Sequence, residues 1–188
     1  MPPPSPRSLD ISPDGRQLVF AEAEPVPTNP GAVNPQHNQV VELATCSLKA
    51  INLLDKGGKR ITGGVTHLRG GGHTDVDPIF TPDGQSLRFA SDRRRPDSAD
   101  ILQINAKARE GGIQNIYVDM RDYTALRPTM GADGVMVFVL YPPHGGAKPA
   151  EASAKIWAVG GGNPYETGII EGIQPHVSPD GARVAYIG

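Results

Sequence analysis

An all-β array of repeated units is the fold class this sequence predicts, and three observations predict it. The first is a recurring signature, Ile11-Ser12-Pro13-Asp14-Gly15, Phe80-Thr81-Pro82-Asp83-Gly84 and Val177-Ser178-Pro179-Asp180-Gly181, with a decayed copy at Met130-Gly131-Ala132-Asp133-Gly134. The second is the apolar run behind each Asp-Gly: Gln17 to Phe20, Ser86 to Phe89, Val135 to Phe138 and Arg183 to Tyr186. The third is spacing, since the aspartates at 14, 83, 133 and 180 are separated by 69, 50 and 47 residues. Propeller blades of four strands recur at about 40–50 residues, and each such unit buries its faces only against its neighbours. Together these predict a β-propeller of four-stranded blades, about three and a half of them present.

The long first interval holds a removable block. Residues 22–39 carry Pro25, Pro27, Pro30 and Pro35 and no apolar alternation. Proline donates no ladder hydrogen bond, so this stretch reads as an insertion loop at the rim. Residues 1–8 read as a flexible, proline-rich lead. Residues 9–188 form the array, with blades at about 9–72, 73–129 and 130–171 and a partial one at 172–188.

Within the second unit, Asp75 to Phe80 reads as a strand, Thr81 to Gly84 as a turn and Gln85 to Ala90 as the next strand. Proline presets the backbone early in such a turn, and glycine accepts the left-handed conformation that closes it. Ser91 to Asp97 reads as a polar loop. Asp100 to Ile104 and Asn115 to Asp119 both read as strands, one of them an added hairpin arm. Thr124 to Thr129 is expected to begin the outer crossover. Leu48 to Leu53 and Lys155 to Val159 echo the later strands, each followed by a glycine turn and a run toward Thr-Gly.

Composition fits a turn-dense β domain: 188 residues, 38% hydrophobic, with 23 Gly and 19 Pro. A net charge of −2 supplies no electrostatic pull towards nucleic acid or an anionic membrane surface. No stretch approaches the roughly 20 apolar residues of a membrane span. The sequence given shows no secretory signal before Arg7. Cys46, the only cysteine, excludes an internal disulfide and sits in an alternating stretch as a buried small hydrophobe.

The Ser-Pro-Asp-Gly turn, the strand ending in Phe or Tyr, the Ser91-Asp92-Arg93 segment, Ile116-Tyr117-Val118 and the Gly-Gly to Thr-Gly connection resemble the TolB-type propeller repeat. This is a WD-repeat-like class with a Pro-Asp-Gly signature, and the resemblance runs from Leu9 to Ile187 apart from the proline-rich block. It implies a non-enzymatic protein-interaction scaffold. Envelope lipoproteins or outer-membrane proteins are the implied partners and the periplasm the implied compartment. The same repeat occurs in the substrate-gating propellers of prolyl-oligopeptidase-type serine peptidases, which is the alternative reading. Propellers of this class commonly have six or seven blades, so a piece of a longer chain is the favoured expectation. Closure on four blades and a pair of half-propellers are the other two.

Candidate chemistry is sparse. There is no Gly-x-Ser-x-Gly elbow, and Ser12 and Ser178 are explained by turn chemistry. His73, Asp75, Asp77 and His176 are read as polar lining of a central channel. A cation such as Ca²⁺ held there is the sharper alternative, but no second ligand cluster supports it, and no metal or cofactor is expected. Arg93, Arg94 and Arg95, flanked by Asp92 and Asp97, are read as a solvated, locally neutralised loop. Arg93, Arg94, Arg95 and Asp97 are the candidate partner-binding residues. The glycine runs at 70–72 and 160–162 lack a following helix and read as turns rather than phosphate cradles.

Overall fold

A computed structural model describes residues 6–23, 46–55, 57–60, 64–69, 72–95, 98–107, 115–119, 123–142 and 154–188. Every regular element among them is a strand. Blade 1 joins β1 (Pro6–Ile11), β2 (Gln17–Ala23), β3 (Cys46–Asn52) and β4 (Thr66–Arg69) in that order. Blade 2 joins β5 (Asp75–Phe80), β6 (Ser86–Arg95), β7 (Ser98–Asn105) and β8 (Asn115–Val118). Blade 3 joins β9 (Thr124–Met130), β10 (Met136–Tyr141), β11 (Lys155–Val159) and β12 (Tyr165–Ile170). Blade 4 is the two-stranded sheet of β13 (Ile173–Val177) and β14 (Val184–Ile187). All pairings inside the blades are antiparallel, as short hairpin turns require.

Five expectations are corrected. β1 begins at Pro6, inside the supposed flexible lead. Neither later strand of blade 2 is an added arm, because β7 pairs with β6 and β8 with β7 to complete the sheet. Thr124 to Thr129 lies in β9, which pairs with β10 and so belongs to blade 3 rather than closing blade 2. The supposed loop at Ser91 extends β6 to Arg95, with Ser91 opposite Asp100 and Arg95 opposite Ser98. Of the insertion block, Glu22 and Ala23 belong to β2, paired with Ser47 and Cys46; residues 24–39 lie outside the described residues. Cys46 is buried, and its N–H donates to the His73 carbonyl at 3.0 Å.

The signature turns share one hydrogen-bond pattern. Ser12, Thr81 and Ser178 donate their hydroxyls to Asp14, Asp83 and Asp180 at 2.6, 2.6 and 2.5 Å. Each hydroxyl also accepts a backbone N–H five residues on, from Gln17, Ser86 and Arg183. These hydroxyls, then the N–H groups of Arg16, Gln85 and Ala182, hold the three carboxyls below the usual carboxylate range. The decayed copy is one residue tighter: Gly131 donates to the Val135 carbonyl at 3.0 Å, four residues on, where Ser12 donates to Gln17, five on.

The core lies between blades. Val19, Leu48, Phe80, Leu87 and Phe89 fill the space between blades 1 and 2. Ile101, Val118, Met136, Phe138 and Val159 fill that between blades 2 and 3. Val137, Ile156 and Ala158, with Val177 and Val184, form a smaller one between blades 3 and 4. Each fully buried Leu, Ile, Val or Phe contributes about 1.5–3 kcal/mol, so stability is distributed over interfaces and no blade is self-sufficient.

Candidate interaction site

The four inner strands β1, β5, β9 and β13 carry a second repeat that is less visible than the turn. Six residues before the turn aspartate stand Ser8, Asp77, Arg127 and Gln174. The last three have φ of 53°, 54° and 52°, and each precedes a proline, at 78, 128 and 175. Ladder register breaks beside each of them, so every one marks a bulge. A non-glycine residue there costs about 1–2 kcal/mol. The bulge turns its N–H to the preceding blade: Asp77 donates to Ser8 Oγ at 2.9 Å, and Arg127 to Asp77 Oδ2 at 3.0 Å. Two residues further on, Asp10 Oδ2 accepts the Phe80 N–H at 2.7 Å, and Thr129 Oγ1 accepts the Val177 N–H at 3.4 Å. Burial pushes the Asp10 and Asp77 carboxyls up, against the pull of those donated N–H bonds.

The predicted site residues divide between this wall and one corner of blade 2. Asp77 is on the wall, tied across to blade 3. His176 is exposed on β13 of blade 4, opposite Ala185. Asp75 is fully buried: its carboxylate accepts Ser91 Oγ at 2.7 Å and Arg93 Nη2 at 2.6 Å, with Arg93 Nε at 3.1 and 3.2 Å. The bulge at Asp77 breaks the alternation that would have set Asp75 and Asp77 side by side on one face. His73 sits apart, its Nδ1 3.5 Å from Asp92 Oδ1.

The arginine triplet is neutralised, but not by its flanking residues. Arg93 takes Asp75 from β5. Arg94 reaches Asp100 Oδ2 at 3.3 Å and Asp119 Oδ2 at 3.0 Å; Arg95 pairs with the same two aspartates. Asp92 instead accepts the Thr74 N–H at 2.9 Å, and Asp97 lies outside the described residues. Asp100, on β7, is almost fully buried, and burial lifts its carboxyl despite Arg95 and Arg94. The Asp119 carboxylate raises Arg94. This network ties β5, β6, β7 and the end of β8 at one edge of the sheet. It leaves Arg94, Arg95, Asp119 and His73 partly exposed as a corner of mixed charge.

Sequence reasoning paired the arginines with Asp92 and Asp97 because it treated the segment as a loop. As a strand, β6 carries them past the neighbours that β5, β7 and β8 supply. Asp100 and Asp119 were thus missed, as was the inner-strand wall, whose signal was the X-Pro pair six residues before each turn aspartate. Arg88 was missed too: it lies 3.4 Å over the Tyr117 ring, with Nε donating to Gln103 Oε1 at 3.0 Å.

The turn hydroxyls and Ser91 Oγ donate to aspartates of their own turn or blade. Among the described residues no group of three or more His, Cys, Asp or Glu side chains converges as a metal site. Among them, too, no helix is long and apolar enough to cross a membrane.

No family model and no curated protein sequence matches the chain. Solved structures do. A protein of Agrobacterium tumefaciens described as TolB aligns with 88% of the chain at TM-score 0.59 and 16% identity. The fold is a partial TolB-type β-propeller. An oligogalacturonate lyase of Vibrio parahaemolyticus aligns with 95% at 0.55 and 11% identity, and a puromycin-hydrolysing peptidase of Mycobacterium tuberculosis with 97% at 0.58 and 12%. The chain spans 50%, 43% and 28% of the lengths of these three proteins. Both enzymes and a TolB share the fold, so the fold by itself assigns no activity.

Proposed function

We propose that this chain is a non-enzymatic interaction module, a rigid propeller arc that recognises a protein partner through the charged corner of blade 2. One observation carries the reading: Arg94 and Arg95 are partly exposed, yet held from beneath by the buried Asp100, and together they hold the partly exposed Asp119. Fixed charges of both signs on a β scaffold suit recognition, because little side-chain entropy is left to lose on binding. The TolB resemblance points to envelope lipoproteins or outer-membrane proteins as partners, in an extracytoplasmic compartment. The proline-rich insertion, less the Glu22 and Ala23 that belong to β2, is a further recognition element on sequence grounds.

The test is calorimetric titration with the purified soluble domain of an envelope lipoprotein. Binding is expected, with Arg94→Glu weakening it about tenfold, the equivalent of roughly 1.4 kcal/mol. Equal affinity for the variant, or no binding at all, refutes the reading. The alternative is a substrate-gating propeller piece of a serine peptidase, since the peptidase neighbour shares the same fold. A nucleophile elbow in coding sequence continuous with this chain decides for it.

A further inference from the structure

Asp-Gly pairs stand at 14–15, 83–84, 133–134 and 180–181, and all four aspartates are exposed. A glycine after an aspartate leaves its own nitrogen unshielded by any side chain, so that nitrogen can attack the neighbouring carboxyl group when the backbone allows it. The backbone at the four sites is nearly the same. The glycines have φ of 69°, 66°, 81° and 73° in chain order. Each glycine N–H closes the turn on the carbonyl three residues back, at 2.8 Å for Gly15, Gly84 and Gly181 and at 3.0 Å for Gly134. Each aspartate Oδ1 accepts the N–H two residues on, from Arg16, Gln85, Val135 and Ala182, at 3.0 Å.

The hydroxyl separates them. Ser12, Thr81 and Ser178 clamp Asp14, Asp83 and Asp180. Gly131 stands at the same place in the third turn and has no side chain to do so. Gly181 of blade 4 does lie against the Asp133 carboxylate, where an added Cβ would come 2.6 Å from Oδ2, but it presents Cα, its N–H being given to the Ser178 carbonyl. Ring closure between a carboxyl carbon and the next nitrogen needs the turn to open first, releasing two N–H bonds. At the other three sites the hydroxyl bond to the carboxylate must break as well, and a charge-assisted bond is among the stronger ones.

We infer that Asp133-Gly134 is a self-modification site, at which the peptide link moves from the α- to the β-carboxyl ahead of the other three pairs. The Gly134 nitrogen bonds to the side-chain carboxyl carbon of Asp133 in its acid form. One carboxyl oxygen leaves as water, taking the acid proton and the N–H proton, and a five-membered succinimide closes. Water then opens the ring at the former main-chain carbonyl, leaving a β-linked isoaspartate with a free α-carboxylate. Composition is unchanged, but the main chain is one carbon longer. That carbon enters where blades 3 and 4 have least room, since even a Cβ at Gly131 would lie 2.8 Å from Gly181 Cα. The product therefore loosens that seam. The inference is independent of the blade 2 corner.

Peptide mapping of the folded 188-residue chain, incubated near neutral pH at body temperature, tests it. Isoaspartate is located by chromatographic separation and by enzymatic methylation of its α-carboxylate. It is expected to accumulate at residue 133 at least about tenfold faster than at 14, 83 or 180, the ratio one charge-assisted hydrogen bond gives. In the chain unfolded in urea the four sites are expected to react at similar rates. Thr81→Val, and separately Ser12→Ala, remove a hydroxyl and are expected to speed Asp83 and Asp14 towards the rate of Asp133. Equal rates at the four sites of the folded chain overturn the inference. So does the same excess at residue 133 in urea, which means local sequence and not the turn, or unchanged rates at Asp83 and Asp14 in the two variants.

Discussion

Restoring the serine at the decayed turn, Gly131→Ser, is expected to destabilise the protein. Repeat logic argues the reverse. A hydroxyl like that of Ser12 would bring a hydrogen bond of about 0.5–1.5 kcal/mol, and loss of glycine freedom in the unfolded chain about 0.4–1 kcal/mol more. The structure removes the first gain and outweighs the second. A Cβ at 131 would lie 2.7 Å from Asp133 Oδ1, 2.8 Å from Gly181 Cα and 3.1 Å from Val177 Cγ1, where carbon contacts settle near about 3.5–4.0 Å. Gly181 Cα is backbone of the neighbouring blade and has no rotamer to escape into. The turn is also a residue shorter, so the N–H five residues on does not stand where Gln17 serves Ser12. Overpacking costs about 1–3 kcal/mol, which outweighs what remains of the gain. The net loss of about 1–2 kcal/mol lowers Tm by roughly 2–8 °C in a chain of this size. Thermal unfolding followed by circular dichroism reads it. Val177→Ala added to the variant recovers only part, because the Gly181 contact stays. An unchanged or raised Tm for Gly131→Ser would refute the close approach of blades 3 and 4.

Two further outcomes follow from buried carboxylates. Burial raises Asp77, so its folded pKa lies above the unfolded 3.8, and the stability tied to its proton is full below 3.8 and lost as pH rises through the folded value. Asp77→Asn keeps an acceptor for the Arg127 N–H and tolerates positive φ, so its urea midpoint relative to the unmodified chain is expected to climb with pH above 3.8; a falling difference contradicts the assignment. Asp75→Ala leaves Arg93 without its buried counter-charge and is expected to cost about 3–5 kcal/mol. Urea unfolding measures that, and a cost under about 1 kcal/mol would mean that water reaches the pair.

The bulged inner strands connect these effects. Each places a strained residue before a proline, and those at Asp77 and Arg127 spend the strain on a hydrogen bond to the blade before them. The interface is thus set by backbone geometry as well as apolar area.

What the sequence determined by itself was the repeat. Ser-Pro-Asp-Gly turns and the strands behind them are local: a proline, a left-handed glycine and a hydroxyl two residues before the aspartate fold together whatever surrounds them. Antiparallel blades and a core between them follow from spacing and alternation. The tertiary structure decided which blade β9 joins, since a strand beside a turn reads the same whichever sheet receives it until pairing is known. It also decided the partners of the arginine triplet, because Asp75, Asp100 and Asp119 lie 18, 6 and 25 residues away from Arg93, Arg94 and Arg94 in sequence and meet them only across the sheet. Gly131 makes the same point: the sequence shows a signature residue lost, and only the approach of Gly181 from the next blade shows why a side chain has no room there.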